Sequence, residues 1–121
     1  MNIYDFTYMT STSDLFGAFA DATRLRILNL LGIQKELCVC DLCAVLDVIQ
    51  PKVSRHLAIL RRVGLVDVRR EGKWKIYALA APPSPVHATL LRCVRGCLAD
   101  VAELAADRTR LRGLETRLRC T

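Results

Sequence analysis

The apolar positions along this chain fall into helical spacing, then strand spacing, then helical spacing again. Leu15, Phe16 and Phe19 make the packing face of a short first helix, which Ser13 would cap and which would run through Ala20. Leu25, Leu28 and Leu31 recur every third residue behind Asp21, a good N-cap, and ahead of Gly32, a natural stop, so the spacing predicts a second helix over Ala22 to Leu31. A short helix opening at Cys38 follows, with Cys38 in the slot where Ser or Thr usually caps and Asp41 three residues on, as in a capping box. After a link at Asp47 to Ile49, Val53, Leu57 and Leu60 mark one face of a helix over Gln50 to Val63, with Pro51 tolerated in its first turn. Gly64 ends it. From Leu65 to Leu79 the pattern alternates in strand fashion around Glu71 and Gly72, which predicts a β-hairpin. AAPPSP breaks the sheet, and a last long helix from about Val86 to Ala106 carries the stripe Leu90, Val94, Cys97, Val101 and Leu104.

Two short helices joined by a tight turn, the second basic outside, read as a helix-turn-helix. Opposite its apolar face, the Gln50 to Val63 helix presents Lys52, Arg55, Ala58 and Arg62, and a small residue at the centre of a basic face suits close approach to a phosphate-lined groove. The hairpin would then be a wing, with Arg69, Arg70, Lys73 and Lys75 crowding its tip. Trp74 and Tyr77 read as packing residues. The fold expected is mainly α with a small β-hairpin, a winged helix-turn-helix. It would comprise an N-terminal arm over residues 1–12, the domain proper over 13–107 and a basic tail over 108–121.

Length and charge agree with this. A chain of 121 residues makes one domain with a small core, a size that often gains stability by dimerising, and its net charge of +6 favours a polyanionic partner. The first ten residues, MNIYDFTYMT, lack the basic, apolar and small-residue pattern of a secretion signal, and no run of 18 apolar residues could span a bilayer. A cytoplasmic chain with no membrane partner is the expectation, and in a reducing cytosol six cysteines point to metal or redox chemistry rather than structural bridges.

Three of those cysteines lie directly against the reader helix. Cys40 and Cys43 share a helix face, whereas Cys38 points about 200° away from Cys40 in a regular helix, so one ion can hold all three sulfurs only by distorting the first turn. A helix N-terminus favours thiolate there. Cys97 falls mid-stripe in the last helix and is expected to pack, although Cys93 and Cys97 together allow a second thiolate pair; Cys120 has no partner nearby in sequence. Arg24 and Arg26 could touch the DNA backbone, but read rather as solvated or locally paired.

The strings ELCVCDLC and QPKVSRHLAILRRVGLV, with ADATRLRILNLL before them, resemble the ArsR/SmtB family of metalloregulatory repressors, and within it the arsenic-responsive branch. The resemblance spans roughly Ser13 to Asp107. It implies a homodimer, built on the first and last helices with Leu90, Val94, Cys97, Val101 and Leu104 in the interface. That dimer would bind double-stranded operator DNA through Gln50, Lys52, Ser54, Arg55, His56, Arg62, Arg70 and Lys73. As(III) or Sb(III), held by Cys38, Cys40 and Cys43, would release it. His56 belongs to the family's SRHL motif, where it either contacts DNA or holds the reader in place. Two departures stand out: Ile49 where relatives often cap the reader with Ser, and Asp47 where Gly is frequent. His87 alone does not make the Asp/His and His/Glu pairs of zinc-sensing relatives, and no cysteine precedes Cys38 as in cadmium-type ones. The competing readings are a cadmium, lead or zinc sensor, a thiol-redox repressor of the same fold, and a thiol-disulfide oxidoreductase using Cys40 and Cys43. The last lacks a βαβ setting. No nucleotide loop or catalytic constellation is present in the sequence, so no enzyme is expected.

Overall fold

The computed structural model describes residues 11–115. Helices α1 (Thr12–Phe19) and α2 (Ala22–Ile33) lead into a two-residue strand β1 (Leu37–Cys38), then α3 (Val39–Leu46), α4 (Gln50–Arg62), the hairpin β2 (Val66–Glu71) and β3 (Trp74–Leu79), α5 (Pro85–Arg92) and α6 (Ala102–Glu115). The sheet is antiparallel with order β1-β3-β2. The core gathers Ile27, Leu28, Leu30, Leu37, Leu42, Leu46, Val53, Leu57, Leu60, Leu65, Val66 and Leu111, all nearly inaccessible. Each such leucine contributes about 1.5–3 kcal/mol through burial. This is a winged helix-turn-helix, as the periodicity predicts.

Local chemistry moves several boundaries. Ser11, not Ser13, caps α1: its hydroxyl accepts from the Asp14 amide (3.1 Å) while the Asp14 carboxylate accepts from the Ser11 amide (3.3 Å), a reciprocal box that starts the helix at Thr12. Helix α2 begins as expected, with Asp21 accepting from the Arg24 amide (3.0 Å), but it runs through Gly32 to Ile33. Gly32 instead makes room, because a Cβ there would stand 3.1 Å from the Arg95 side chain. In the wing, Glu71 pairs with Trp74, so the turn is Gly72–Lys73, one residue later than read, with Gly72 at φ 63°.

The largest difference is at the C-terminus. The single helix expected over Val86 to Ala106 is broken: α5 ends at Arg92, a π-helical turn occupies Cys93–Cys97, and α6 starts afresh at Ala102. Gly96, a poor helix former, lies in the break. Beyond it α6 folds back on α2 and α3, burying Leu104 and Leu111, and Asn29 donates its side-chain amide to the Leu104 carbonyl (3.1 Å). The division anticipated between Asp107 and Arg108 falls inside this helix. Of the tail, residues 108–115 are helical and 116–121 lie outside the described residues, as does Cys120; the arm is described only from Ser11.

Candidate nucleic-acid interface and thiol site

Helices α3 and α4 carry the chemistry. Asp47 closes α3 in the left-handed region (φ 58°), taking the turn that glycine often fills, and its amide donates to the Cys43 carbonyl (2.8 Å). Helix α4 then starts at Gln50 with Ile49 as its N-cap, which supplies no side-chain bond and is 71% exposed. Val53, Leu57 and Leu60 turn inward. Gln50, Lys52, Arg55, Ala58 and Arg62 are exposed on the outer side and Ser54 is half-buried. Between this helix and the wing runs a groove of about 460 Å³ lined by Ser54, Leu57, Ala58, Arg61, Arg62, Lys75 and Tyr77.

Arg70 and Lys73 are exposed on the wing, Lys73 lying 5.3 Å from the Trp74 ring centre. Arg69 is engaged otherwise. It grips Glu36 (2.7 Å) and Glu71 (2.9 Å), and its guanidinium holds the Glu36 carboxyl below its ordinary range. Tyr77 is buried, in keeping with a packing role, and burial pushes its hydroxyl pKa up.

His56 faces inward. Its Nδ1 accepts from Arg24 Nη1 (3.1 Å), and Arg24 also donates to the carbonyls of Ala18 (2.9 Å) and Gly17 (3.3 Å), so His56 ties the reader to the α1–α2 corner. Of its two readings, the one that holds the reader in place fits this geometry. Burial lowers its pKa, against the opposing pull of Asp21. His87 braces the other end: its Nε2–H donates to the Val63 carbonyl (2.8 Å) while Ser84 Oγ bonds its Nδ1 (2.7 Å), joining the start of α5 to the end of α4.

The cysteines open α3. Cys38 is the N-cap, as read, but makes no side-chain cap bond; it is buried, disulfide-bonded, and paired with Ile76 in β3. Cys40 is exposed and free, and Cys43 is half-buried and free. Burial, and then the charge of Cys40, raise the pKa of Cys43. Among the described residues no three His, Cys, Asp or Glu side chains converge to hold a metal ion. The trio is therefore divided, with Cys38 on the sheet side. A second groove, about 290 Å³, joins Cys38 and Cys40 to Gln50, Ser54, Arg70, Lys73 and Lys75.

The far end of α3 holds what sequence reasoning missed. Asp107 of α6 is fully buried and takes Arg26 on both oxygens (2.8 and 3.0 Å) and Arg110 as well. The same two arginines donate to the last carbonyls of α3, Arg26 to Leu46 (3.0 Å) and Arg110 to Val45 (2.9 Å). The signal was a lone carboxylate in the arginine-rich run ADRTRLR. Along the expected dimer stripe, Val94 and Leu104 are buried within the chain, Leu90 is half-buried and Val101 is 44% exposed. Cys97 is exposed on the single chain.

Residues 21–68 match the family model for bacterial regulatory proteins of the arsR family, a span running from the cap of α2 into β2. The arsenic resistance transcriptional regulator ArsR2 of Pseudomonas putida KT2440 is 39% identical over 110 residues, which cover 90% of this chain and 93% of that one. The chain belongs to the ArsR family. Members are transcriptional regulators rather than enzymes, which removes the oxidoreductase reading, and their helix-turn-helix binds DNA. The arsenical resistance operon repressor of Escherichia coli K12 is 58% identical over 66 residues, 54% of this chain and 56% of that one, so the chain spans little more than half of that relative. The crystal structure of the AntR antimony-specific transcriptional repressor superposes with a TM-score of 0.59 at 31% identity, covering 74% of this chain and 77% of that one. Among the described residues no helix is long and apolar enough to cross a membrane.

Proposed function

We propose that this ArsR-family chain is a cytoplasmic, homodimeric repressor that binds operator DNA through α4 and the wing, and that As(III) or Sb(III) at Cys38, Cys40 and Cys43 releases it. One observation carries the reading: Cys38 is at once the cap of the sensor helix and a member of the wing sheet, paired in register with Ile76. Trivalent arsenic and antimony keep a lone pair and take three ligands, and soft thiolates select such ions. Drawing Cys38 toward Cys40 and Cys43 pulls on β1, and through β3 on the wing. The bound ion would also stand in the groove shared with Gln50, Ser54, Arg70 and Lys73. Sensor and reader are thus coupled across one strand pair. The dimer is proposed through α1 and α5, where Phe16 and Val86 are large, apolar and exposed; with Leu104 and Val94 inside the chain, the last helix contributes less than the stripe suggested.

The deciding experiment is an operator-release titration with arsenite and antimonite under a phosphine reductant, which returns Cys38 to the thiol. Wild type should release, and Cys38→Ser should bind DNA but not respond; loss of DNA binding in that variant counts against the assignment. Removal of Lys52 or Arg55 should weaken operator binding more than removal of Arg112, lowering the salt slope by about 0.9 for each phosphate no longer neutralised. A thiol-redox repressor is the second reading, favoured by the disulfide at Cys38. It predicts release by peroxide and none by arsenite in reductant.

A further inference from the structure

One ion-pair network stands outside the reading above. Arg69 of β2 reaches across the sheet, whose order is β1-β3-β2, and donates to both carboxylate oxygens of Glu36, the residue just ahead of β1 (2.7 and 3.4 Å). Its remaining amino group holds Glu71 of its own strand (2.9 Å). The guanidinium thus spans the central strand β3 and fastens the two outer strands to each other. Arg70, the next residue along β2, lines the groove beside the reader helix, so the pleat turns Arg69 to the opposite face of the sheet. There it is spent on carboxylates and not on phosphate.

Position decides what this bridge does. Strand β1 pairs with β3 only through Leu37 and Cys38, so a side-chain tie at Glu36 adds to a short backbone hold. We propose that Glu36, Arg69 and Glu71 form a clamp that keeps β1 on the wing sheet and thereby sets how much ion at the thiols is needed to release DNA. These are positioning residues, acting through the strand. The consequence for release rests on the operator reading, because Cys38, two residues beyond Glu36, is the sulfur that an ion would draw off the sheet. The docked strand belongs to the DNA-binding state, and the clamp stabilises that state alone. Breaking it shifts the population toward the released state at every inducer concentration. Both partners are exposed, and exposed ion pairs are individually weak and screened by salt. The shift is accordingly about two- to fivefold, a size that tunes a threshold without abolishing the response.

Deuterium exchange on the full chain in reductant, without DNA or ion, reads the strand directly. In Glu36→Gln, uptake over residues 37–39 should be about two- to fivefold faster than in wild type. Arg69→Gln should match it, and the double variant should be no faster than either single one, a non-additivity that unrelated structural damage does not produce. Raising the salt should speed wild type toward Glu36→Gln and leave the variant where it is. The second arm is arsenite titration of the operator complex. There the half-release concentration should fall about two- to fivefold in Glu36→Gln, with operator affinity before arsenite changed by less. Unchanged uptake, or single-variant effects that simply add, overturns the clamp whichever way the titration goes. Faster uptake with an unchanged or higher half-release concentration overturns its control of release. A wild type that ignores arsenite sinks the operator reading instead, and uptake alone then decides the clamp.

Discussion

Helices α1, α2 and α5 differ from α3 and α4 in how they begin. The first three start on Ser11, Asp21 and Ser84, whose side chains each accept a backbone N–H of the first turn. The sensor and reader helices start on Cys38 and Ile49, which supply no such bond. A side-chain cap is worth about 0.5–2 kcal/mol, so the scaffold helices are locally pinned at their N-termini and the two functional ones are not. The other end of α3 is fastened instead, by Asp47 in the left-handed turn and by the arginines held on Asp107. A helix fixed at its C-terminus and loose at its N-terminus can yield where the thiols are without losing its place in the core.

The harshest way to break this contrast is to release the fastened end. Asp107→Ala leaves Arg26 without its buried partner, and the expected loss is about 3–5 kcal/mol in urea unfolding; a loss below about 1 kcal/mol would show that α6 does not anchor α3. Next in size, Asp21→Ala should cost about 1 kcal/mol. Ile49→Ser should do the opposite, stabilising by up to about 1 kcal/mol by supplying the missing cap, and equal effects of the two would erase the distinction. The smallest effect is a pH dependence. Burial depresses the folded-state pKa of His56, so the unfolded chain takes up the proton first. Stability is full above the unfolded value of about 6.5 and declines as pH falls from there through the folded value. His56→Gln should flatten that part of the stability curve.

The sequence made the locally encoded parts legible. Asp21 ahead of a leucine stripe, Pro51 in a basic helix, and alternation around Glu71 and Gly72 each carry their own signal; helix α4 lies where these put it, and the hairpin turns one residue later. What escaped was whatever depends on distant partners. Two residues, Leu37 and Cys38, cannot display strand periodicity, and only Ile76 and Tyr77 make them a strand. The apolar stripe from Leu90 to Leu104 continues across the break at Gly96, so spacing alone joined two helices that the core separates. Cys40 and Cys43 on one helix and Cys38 set apart were foreseeable from 3.6 residues per turn. The burial that raises the Cys43 pKa was not.

Because β1 is only two residues long, β3 is an interior strand over a single short stretch and an edge elsewhere. Any state in which β1 leaves β3 bares the backbone of Ile76 and Tyr77, an apolar pair flanked by Lys75, to whatever strand passes by. A form of this protein freed in that way would be the one exposed to clustering and to proteolysis, and it would be the shorter-lived of the two in a cell.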